Sequence, residues 1–492
     1  MGADDSENAN RQDAMNKQTH PDILGIFGDP IGHTLSPVIH RIFGERNGIS
    51  LEYLPFCVKG EDLEAAVRGA HALGIKGLNI TVPHKSAVIP FLSGIDPLAE
   101  KIGAVNTLVR EKDGYRGYNT DATGLKKALE REGVTFPGER FVILGAGGAG
   151  RAAAFLCAYE GAADVAIVNR SEEKAAALAE EIKAATGSSS VRAVDMESFI
   201  SGLEKDGFRY IAIQCTSVGL WPHDDCTVTD DPRFFAGLSF AADVIYRPMT
   251  TRFLRQARDA GVPTMGGLSM LLFQAVDAFR LWYPYCMLDD DAIETAMSGL
   301  VSSLTGCTDI VHTGFMGSGK TTVAGALAKK LGADVWDTDA MIEEACGKSI
   351  SDIFAEDGEE VFRRMETLTL ARISEAHDGS AGKTGRGVIV SAGGGLPVRA
   401  ENREILKSGN CGRVVYLKVT PKTVLDRLSG DDTRPLLAGS HDEKLERIEK
   451  LMAEREESYA ESADIVIRAD GLAPELVADM IIDAMCAGED RS

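Results

Sequence analysis

Two glycine-rich loops of different kinds constrain this chain more than any other feature. Gly145-Ala-Gly-Gly-Ala-Gly150 follows the apolar run Phe141-Val-Ile-Leu144 and precedes Arg151-Ala-Ala-Ala-Phe-Leu156. Gly314-Phe-Met-Gly-Ser-Gly-Lys-Thr321 follows Asp309-Ile-Val-His-Thr313 and precedes Val323-Ala-Gly-Ala-Leu-Ala-Lys329. A glycine loop between a strand and a helix is the turn of an open, mainly parallel sheet. The first spacing suits the pyrophosphate of a dinucleotide, and the second suits a nucleoside triphosphate with magnesium. One chain carrying both reads as two enzymes joined end to end.

The 492 residues exceed one core, so two to four domains are expected. A formal charge of −22 repels phosphate, which argues against nucleic acid or an anionic membrane as partner. Anionic ligands must then be held by local clusters of Arg, Lys and backbone N–H groups. The nine cysteines form no C-x-x-C pair and read as reduced thiols of a cytoplasmic protein. No apolar run is long enough to span a bilayer.

Residues 1–21 are polar and acid-rich and read as a disordered tail, without the apolar core of a secretory signal. Met1-Gly-Ala-Asp-Asp-Ser6 fits the bare myristoylation pattern, but no basic patch or second anchor accompanies it. From Ile23 onward, β-branched runs alternate with Ala/Leu/Glu-rich helical stretches, which predicts an α/β architecture. The expected units are 22–121 with 265–301, a dinucleotide domain over 122–264, a polar connector at 302–308 and a third unit over 309–487. The helical stretch from Gly266 to Val301 is expected to pack back on the first unit. Seven extended residues span roughly 25 Å at most. The Gly/Ser/Lys-rich stretch at 376–387 reads as a surface loop, and its Gly382-Lys-Thr384 lacks the strand and earlier glycine of a phosphate loop.

In the first loop, Gly145, Gly147, Gly148, Ala149 and Gly150 let the backbone approach a pyrophosphate at a positive helix end. An NAD site would place an acidic residue after the next strand. Here Asn169, Arg170 and Ser171 stand there, with Lys174 one turn on, which favours the 2′-phosphate of NADP. Asn79-Ile-Thr-Val-Pro-His-Lys85 delivers an ammonium after a strand, and Gly103-Ala-Val-Asn-Thr107 and Tyr118-Asn-Thr-Asp121 add polar groups. A Lys and an Asp held together can shuttle a proton. His33, His40 and His84 have no metal-ligand spacing and read as turn and helix-face histidines.

In the second loop, Gly314, Gly317, Ser318, Gly319 and Thr322 belong to the phosphate cradle, Lys320 reaches the β/γ oxygens and Thr321 ligates magnesium. Asp337 and Asp339, two residues apart, fall on one side of the chain. One can organise the magnesium shell while the other takes a hydrogen bond from the attacking hydroxyl. Phe362-Arg-Arg364, Gly393-Gly-Gly395, Arg434-Pro-Leu-Leu437 and Arg455 add guanidinium groups and an open backbone loop.

Seven separated motifs over 22–301 occur in the order seen in shikimate dehydrogenases, which this part of the chain resembles. They are Gly28-Asp-Pro-Ile-Gly-His-Thr-Leu-Ser-Pro37, Asn79 to Lys85, Gly103 to Thr107, Asn119-Thr-Asp121, the glycine loop, Asn169-Arg170 and Gly267-Leu-Ser-Met-Leu-Leu-Phe-Gln274. The resemblance implies a substrate domain plus a Rossmann NADP domain, with Lys85 and Asp121 as the catalytic pair. It further implies that Thr34, Ser36, Asn79, Thr81, Asn106 and Gln274 bind the carboxylate and hydroxyls of 3-dehydroshikimate or shikimate, and that Tyr246 helps close the site. Thr34 stands where the family often has Ser, and Ser269 where it often has Gly.

Residues 309–487 resemble shikimate kinase, a P-loop fold with a parallel sheet. That resemblance assigns the acceptor hydroxyls to Asp339 and magnesium support to Asp337. It assigns the substrate carboxylate and ring hydroxyls to Arg363, Gly394, Gly395 and Arg455. Arg434 falls on a lid between Gly430-Asp-Asp-Thr433 and Ala438-Gly-Ser440 that closes on the phosphoryl group, and Arg427 falls near the adenine. The cofactors implied are NADP(H), ATP and Mg2+. Three alternatives stay open: quinate oxidation in the first part, a ligand-binding regulator without turnover, and a gluconate- or nucleotide-type kinase in the second. Oligomeric state is not legible.

Overall fold

The computed structural model describes residues 20–32, 34–221, 223–306, 309–377, 387–428 and 440–488. Its contacts divide the chain into two units, 1–300 and 301–492. The first unit holds two sheets. One is built from β1 (Asp22–Gly28), β2 (Leu51–Cys57), β3 (Gly77–Ile80), β4 (Gly94–Ile95), β5 (Thr107–Glu111) and β6 (Gly114–Tyr118), in the order β2-β1-β3-β5-β6-β4. β1 runs parallel to both neighbours, and its last five residues are buried, as expected of a strand covered on two faces. β5 and β6 form an antiparallel hairpin whose register sets Thr107 opposite Tyr118. That hairpin departs from the mainly parallel pattern of the alternating sequence, and it brings residues 106 and 121 together.

Helix α1 (Ser36–Arg46) opens with a proline in its first turn, and α2 (Thr120–Arg131) is capped by Asn119, whose side chain accepts from Ala122 N at 3.1 Å. The second sheet contains β7 (Arg140–Leu144), β8 (Asp164–Val168), β9 (Val191–Ala193), β10 (Tyr210–Gln214), β11 (Leu238–Asp243) and β12 (Thr264–Met265). Their order, β12-β11-β10-β7-β8-β9, is all parallel among the described pairs. The strand order reverses between β7 and β10, which opens a crevice at their carboxyl ends. Helices α3 (Gly148–Tyr159) and α4 (Glu172–Thr186) follow β7 and β8.

Helix α5 (Gly267–Trp282) returns to the first sheet: Trp282 Nε1 donates to Leu108 O at 2.9 Å and Thr123 Oγ1 donates to Asp277 Oδ2 at 2.6 Å. Helix α6 (Asp290–Thr305) takes in residues 302–305 of the stretch read as a connector. The second unit is a parallel sheet of β13 (Ile310–Thr313), β14 (Asp334–Asp337), β15 (Val388–Ser391), β16 (Arg413–Lys418) and β17 (Ile465–Arg468), ordered β14-β15-β13-β16-β17. Around it lie α7 (Lys320–Leu331), α8 (Thr338–Cys346), α9 (Glu359–His377), α10 (Pro421–Leu428), α11 (His441–Ser462) and α12 (Pro474–Gly488). Val311, Val390 and Val414 of three strands pack with Leu370 and Ile373 of α9. Among the described residues no helix is long and apolar enough to cross a membrane, and the eight cysteines are free thiols.

Candidate active sites

In the first unit β3 ends at Ile80 and the chain turns to present Lys85. Lys85 Nζ lies 2.6 Å from Asp121 Oδ2, with the two side chains 18% and 9% exposed. Asp121 occupies the first turn of α2, where the helix dipole favours a carboxylate. Its other oxygen accepts from Asn106 Nδ2 at 2.9 Å. The Asn106 oxygen in turn accepts from Thr120 N at 2.7 Å and from Thr107 Oγ1 at 3.2 Å. Asn79 Nδ2 donates to Asn106 O and to Thr107 Oγ1, each at 3.1 Å, while its oxygen accepts from Tyr53 OH at 2.7 Å. Both amide hydrogens of Asn79 are therefore engaged inside the protein, and what remains for a ligand is a lone pair on Oδ1.

Ser36 begins α1 and is buried, with its hydroxyl accepting from Thr34 Oγ1 at 3.2 Å. Thr81 follows β3, and its methyl fills the space where Gly28 lacks a side chain. Gln274 is 8% exposed on α5 and donates to Leu271 O at 2.8 Å. Tyr246 follows β11 and is largely enclosed, and that burial pushes its phenol up. His84 bonds Val58 O at 2.6 Å, and His40 is buried in an aromatic cluster. His33 lies outside the described residues.

The dinucleotide loop leaves β7 at the crevice and enters α3. A side chain at Gly150 would meet Gly145 O at 2.0 Å, so the tight turn excludes anything larger than glycine. Gly147 and Gly148 are exposed at the helix start, and a Cβ on Gly148 would stand 3.6 Å from Lys85 Cδ. The loop and the ammonium are thus neighbours. Asn169 Oδ1 accepts from Ala146 N at 3.2 Å, which ties the loop to the end of β8. Arg170 and Lys174 are exposed beside it, and Ser171 caps α4. Open glycine backbone at a helix N-terminus fits a pyrophosphate, and the two adjacent cations fit a 2′-phosphate.

In the second unit the phosphate loop connects β13 to α7. Lys320 Nζ donates to Gly314 O at 2.9 Å and Phe315 O at 3.0 Å, and Arg427 Nη1 donates to Gly317 O at 3.2 Å and Ser318 O at 2.9 Å. Ser318 is buried, whereas Thr321 and Thr322 are exposed, and Gly319 immediately precedes α7. Thr321 Oγ1 lies 3.1 Å from Asp337 Oδ2 and 3.0 Å from Ser391 Oγ. This all-oxygen set fits magnesium. Asp337 also caps α8, accepting from Asp339 N at 3.1 Å.

A side chain at Gly393 would stand 2.6 Å from Asp339 Oδ1 and 2.9 Å from Glu366 Oε1, so two carboxylates converge on this glycine. Glu366 is 1% exposed and pairs with Arg363 Nη1 at 2.8 Å. Burial pushes its carboxyl above the ordinary range, against the pull of that guanidinium. Arg363 also crowds Gly395, while Arg455 Nη1 and Tyr459 OH approach Gly394 O at 3.5 and 2.5 Å. Asp339, Arg363, Gly394, Gly395 and Arg455 therefore come together. Arg434, its flanking 430–439 segment and the loop at 378–386 lie outside the described residues. Tyr53, Thr107, Glu366, Ser391 and Tyr459 also belong to these networks. Of them Glu366 had a sequence signal, three residues after Arg363 on a helix. The others meet their partners through tertiary contact.

The sequence matches the family model for the shikimate dehydrogenase substrate binding domain over residues 26–108 and that for shikimate / quinate 5-dehydrogenase over residues 127–204. The shikimate kinase model matches residues 316–486. The shikimate dehydrogenase (NADP(+)) of Methanosarcina mazei is 43% identical over 263 residues, 53% of this chain and 92% of that relative. A shikimate dehydrogenase solved in complex with NADP+ has a TM-score of 0.53 at 34% identity, covering 57% of this chain and 96% of its own. A shikimate 5-dehydrogenase from Listeria monocytogenes, solved with shikimate and NAD, has a TM-score of 0.52 at 32% identity, covering 56% and 96%. The chain belongs to the shikimate dehydrogenase family through its first unit, and a shikimate kinase domain follows in its second.

Proposed function

We propose that the chain is a bifunctional enzyme of the shikimate pathway. Its first unit reduces 3-dehydroshikimate to shikimate with NADPH, and its second phosphorylates the shikimate 3-hydroxyl with ATP. The observation that carries this reading is that each matched family domain keeps its reactive groups assembled: Lys85 against Asp121, and Asp339 beside Arg363 across from the phosphate loop. Residues 22–121 with 265–301 form the shikimate domain, 122–264 the NADP domain and 309–487 the kinase domain. The free thiols support a cytoplasmic setting.

In the reduction, Lys85 Nζ gives its proton to the ketone oxygen as that oxygen becomes an alkoxide, and Asp121 holds the ammonium in place. When bound, the nicotinamide supplies the hydride to the carbonyl carbon. Thr34, Ser36, Thr81, Tyr246 and Gln274 orient the carboxylate and hydroxyls, with Asn79 and Asn106, whose amide hydrogens are engaged inside the protein, behind them. Arg170 and Lys174 favour NADP over NAD. In the kinase, Lys320 and the loop N–H groups hold the phosphates, and Arg427 braces the loop on the adenine side. Arg363, Gly394, Gly395 and Arg455 hold the acceptor. Asp339 takes the hydrogen bond of the attacking 3-hydroxyl, so that its oxygen can form the new bond to the γ-phosphorus as ADP leaves. Thr321 and Asp337 would hold the Mg2+ that neutralises phosphate charge.

Two assays on the intact chain test the reading: NADP reduction with shikimate, and ADP formation from ATP with shikimate. Lys85→Ala should abolish chiefly the first and Lys320→Ala only the second, each by about a thousandfold. Loss of both reactions in either variant would rule out two independent sites. Quinate in the first assay decides between the two ring substrates named by the matched family model.

A further inference from the structure

Tyr53, on β2, is 6% exposed and is connected to the catalytic pair by an unbroken series of directional hydrogen bonds. Its hydroxyl donates to Asn79 Oδ1 at 2.7 Å, and Asn79 Nδ2 donates to Thr107 Oγ1 at 3.1 Å. Thr107 Oγ1 donates to Asn106 Oδ1 at 3.2 Å, and Asn106 Nδ2 donates to Asp121 Oδ1 at 2.9 Å. Lys85 Nζ closes the series on Asp121 Oδ2 at 2.6 Å. Asn79, Asn106, Thr107 and Asp121 are all under a tenth exposed, so water is a poor substitute for a missing partner.

The direction of the bonds at Asn79 is set by chemistry. Asn106 O can only accept, so it draws Nδ2 of Asn79 and turns the Asn79 oxygen toward Tyr53. The phenol must then donate. Burial pushes its pKa far up, so it keeps that proton throughout the working range. The ring is clamped as well, stacked on His40 at a centroid distance of 4.6 Å and tilted against Trp282 at 6.4 Å. His40 is itself neutral, because burial pushes its pKa down to about 3, and the phenol therefore faces no cation there.

Without the phenolic proton, Asn79 Oδ1 would lose its 2.7 Å donor. The amide would gain from turning over, Thr107 would lose the N–H that it accepts and its own proton would be drawn toward Asn79. Asn106 would then hold Asp121 less firmly. We propose that Tyr53 is a positioning residue for the proton transfer at Lys85, its hydroxyl locking Asn79, Thr107 and Asn106 into the arrangement that orients the Asp121 carboxylate. The inference rests on the dehydrogenase reading of the first unit. It also assigns Asn79 to the support of Asn106 more than to direct contact with substrate.

Tyr53→Phe keeps the packed ring and removes only the donor, and Thr107→Val breaks the next link without touching the ring. Both are made in the full chain and compared with wild type in shikimate oxidation, ADP formation and thermal melting. Each should lower kcat for shikimate oxidation about tenfold and enlarge its solvent deuterium isotope effect, because proton transfer becomes slower. The KM for NADP and the kinase rate should stay at wild-type values. A purely structural role would lower the melting temperature without moving the isotope effect. Wild-type kcat and isotope effect in whichever of the two variants folds would overturn the inference. Absence of shikimate oxidation by the wild type would instead overturn the dehydrogenase reading on which it stands.

Discussion

Asp243 ends β11 in the first unit, 1% exposed, and contrasts with Asp121 in the same unit. Asp121 faces an ammonium, whereas among the described residues Asp243 faces neutral donors: Ile245 N at 2.9 Å, Thr251 Oγ1 at 2.7 Å and Gln214 Nε2 at 3.4 Å. Burial outweighs these bonds and pushes its pKa up to about 7. An unfolded aspartate titrates near pH 3.9. The native state thus binds an extra proton between those values. The contribution to stability is fully present below about pH 4 and is lost as the pH rises through about 7, a difference on the order of 4 kcal/mol. Asp243→Asn keeps the shape and removes the titration. The variant's first-unit melting temperature should change less than wild type between pH 5 and 8, and should be higher at pH 8. Parallel pH dependences in calorimetry would mean that Asp243 is already ionised at pH 5. Gln214 Nε2 also donates to Val218 O at 3.0 Å, so the same carboxyl group steadies the loop that runs past Gly145.

At the scale of elements, the Lys85–Asp121 pair depends on how closely α2 and α5 approach. A Cβ on Gly124 would stand 2.5 Å from Gln274 N and 2.8 Å from Gln274 Cα, so the two helices are in backbone contact. Gly124→Ala must push α5 away from α2, which carries both Gln274 and Asp121 off their positions. Overpacking of this kind costs about 1–3 kcal/mol. Shikimate oxidation should fall at least about tenfold while ADP formation is unchanged. Equal loss of both reactions would show that the damage is not local to this crossing. The sequence reveals such elements unevenly. Both glycine loops and the α/β alternation are legible because a phosphate turn requires fixed residue types within a few positions. Lys85 and Asp121 are legible for the same reason, each closing a compact motif. The β5–β6 hairpin is not, although Asp113 of its turn is followed by Gly114 at the start of β6, because the antiparallel pairing is decided by where β3 lies. Ser391 meets Thr321 across 70 positions and Tyr459 meets Gly394 across 65, separations that no local pattern encodes.

Across the whole molecule, a charge of −22 accompanies two reactions whose small molecules are all anionic in the proposed reading. The general field opposes every one of them, so the proposed reading rests binding on local cations: Arg170 and Lys174 at one loop, and Lys320, Arg363, Arg427 and Arg455 around the other. Each unit has its own sheet system, two sheets in the first and one in the second, with its own glycine-rich loop. What joins them is chemical. In the proposed reading, the ketone oxygen protonated at Lys85 becomes the hydroxyl that Asp339 presents for phosphorylation. If the sites work independently, they need not share a chain. An equimolar mixture of the Lys85→Ala and Lys320→Ala proteins, given 3-dehydroshikimate, NADPH and ATP, should therefore form shikimate 3-phosphate. After a lag in which free shikimate accumulates, its steady rate should reach about half that of wild type at the same total protein, since half the copies of each site remain intact. Product and free shikimate can be followed together by chromatography. A mixture that makes shikimate but no phosphate ester would mean that the kinase site requires a working dehydrogenase in its own chain, and the two units would have to be treated as one catalyst.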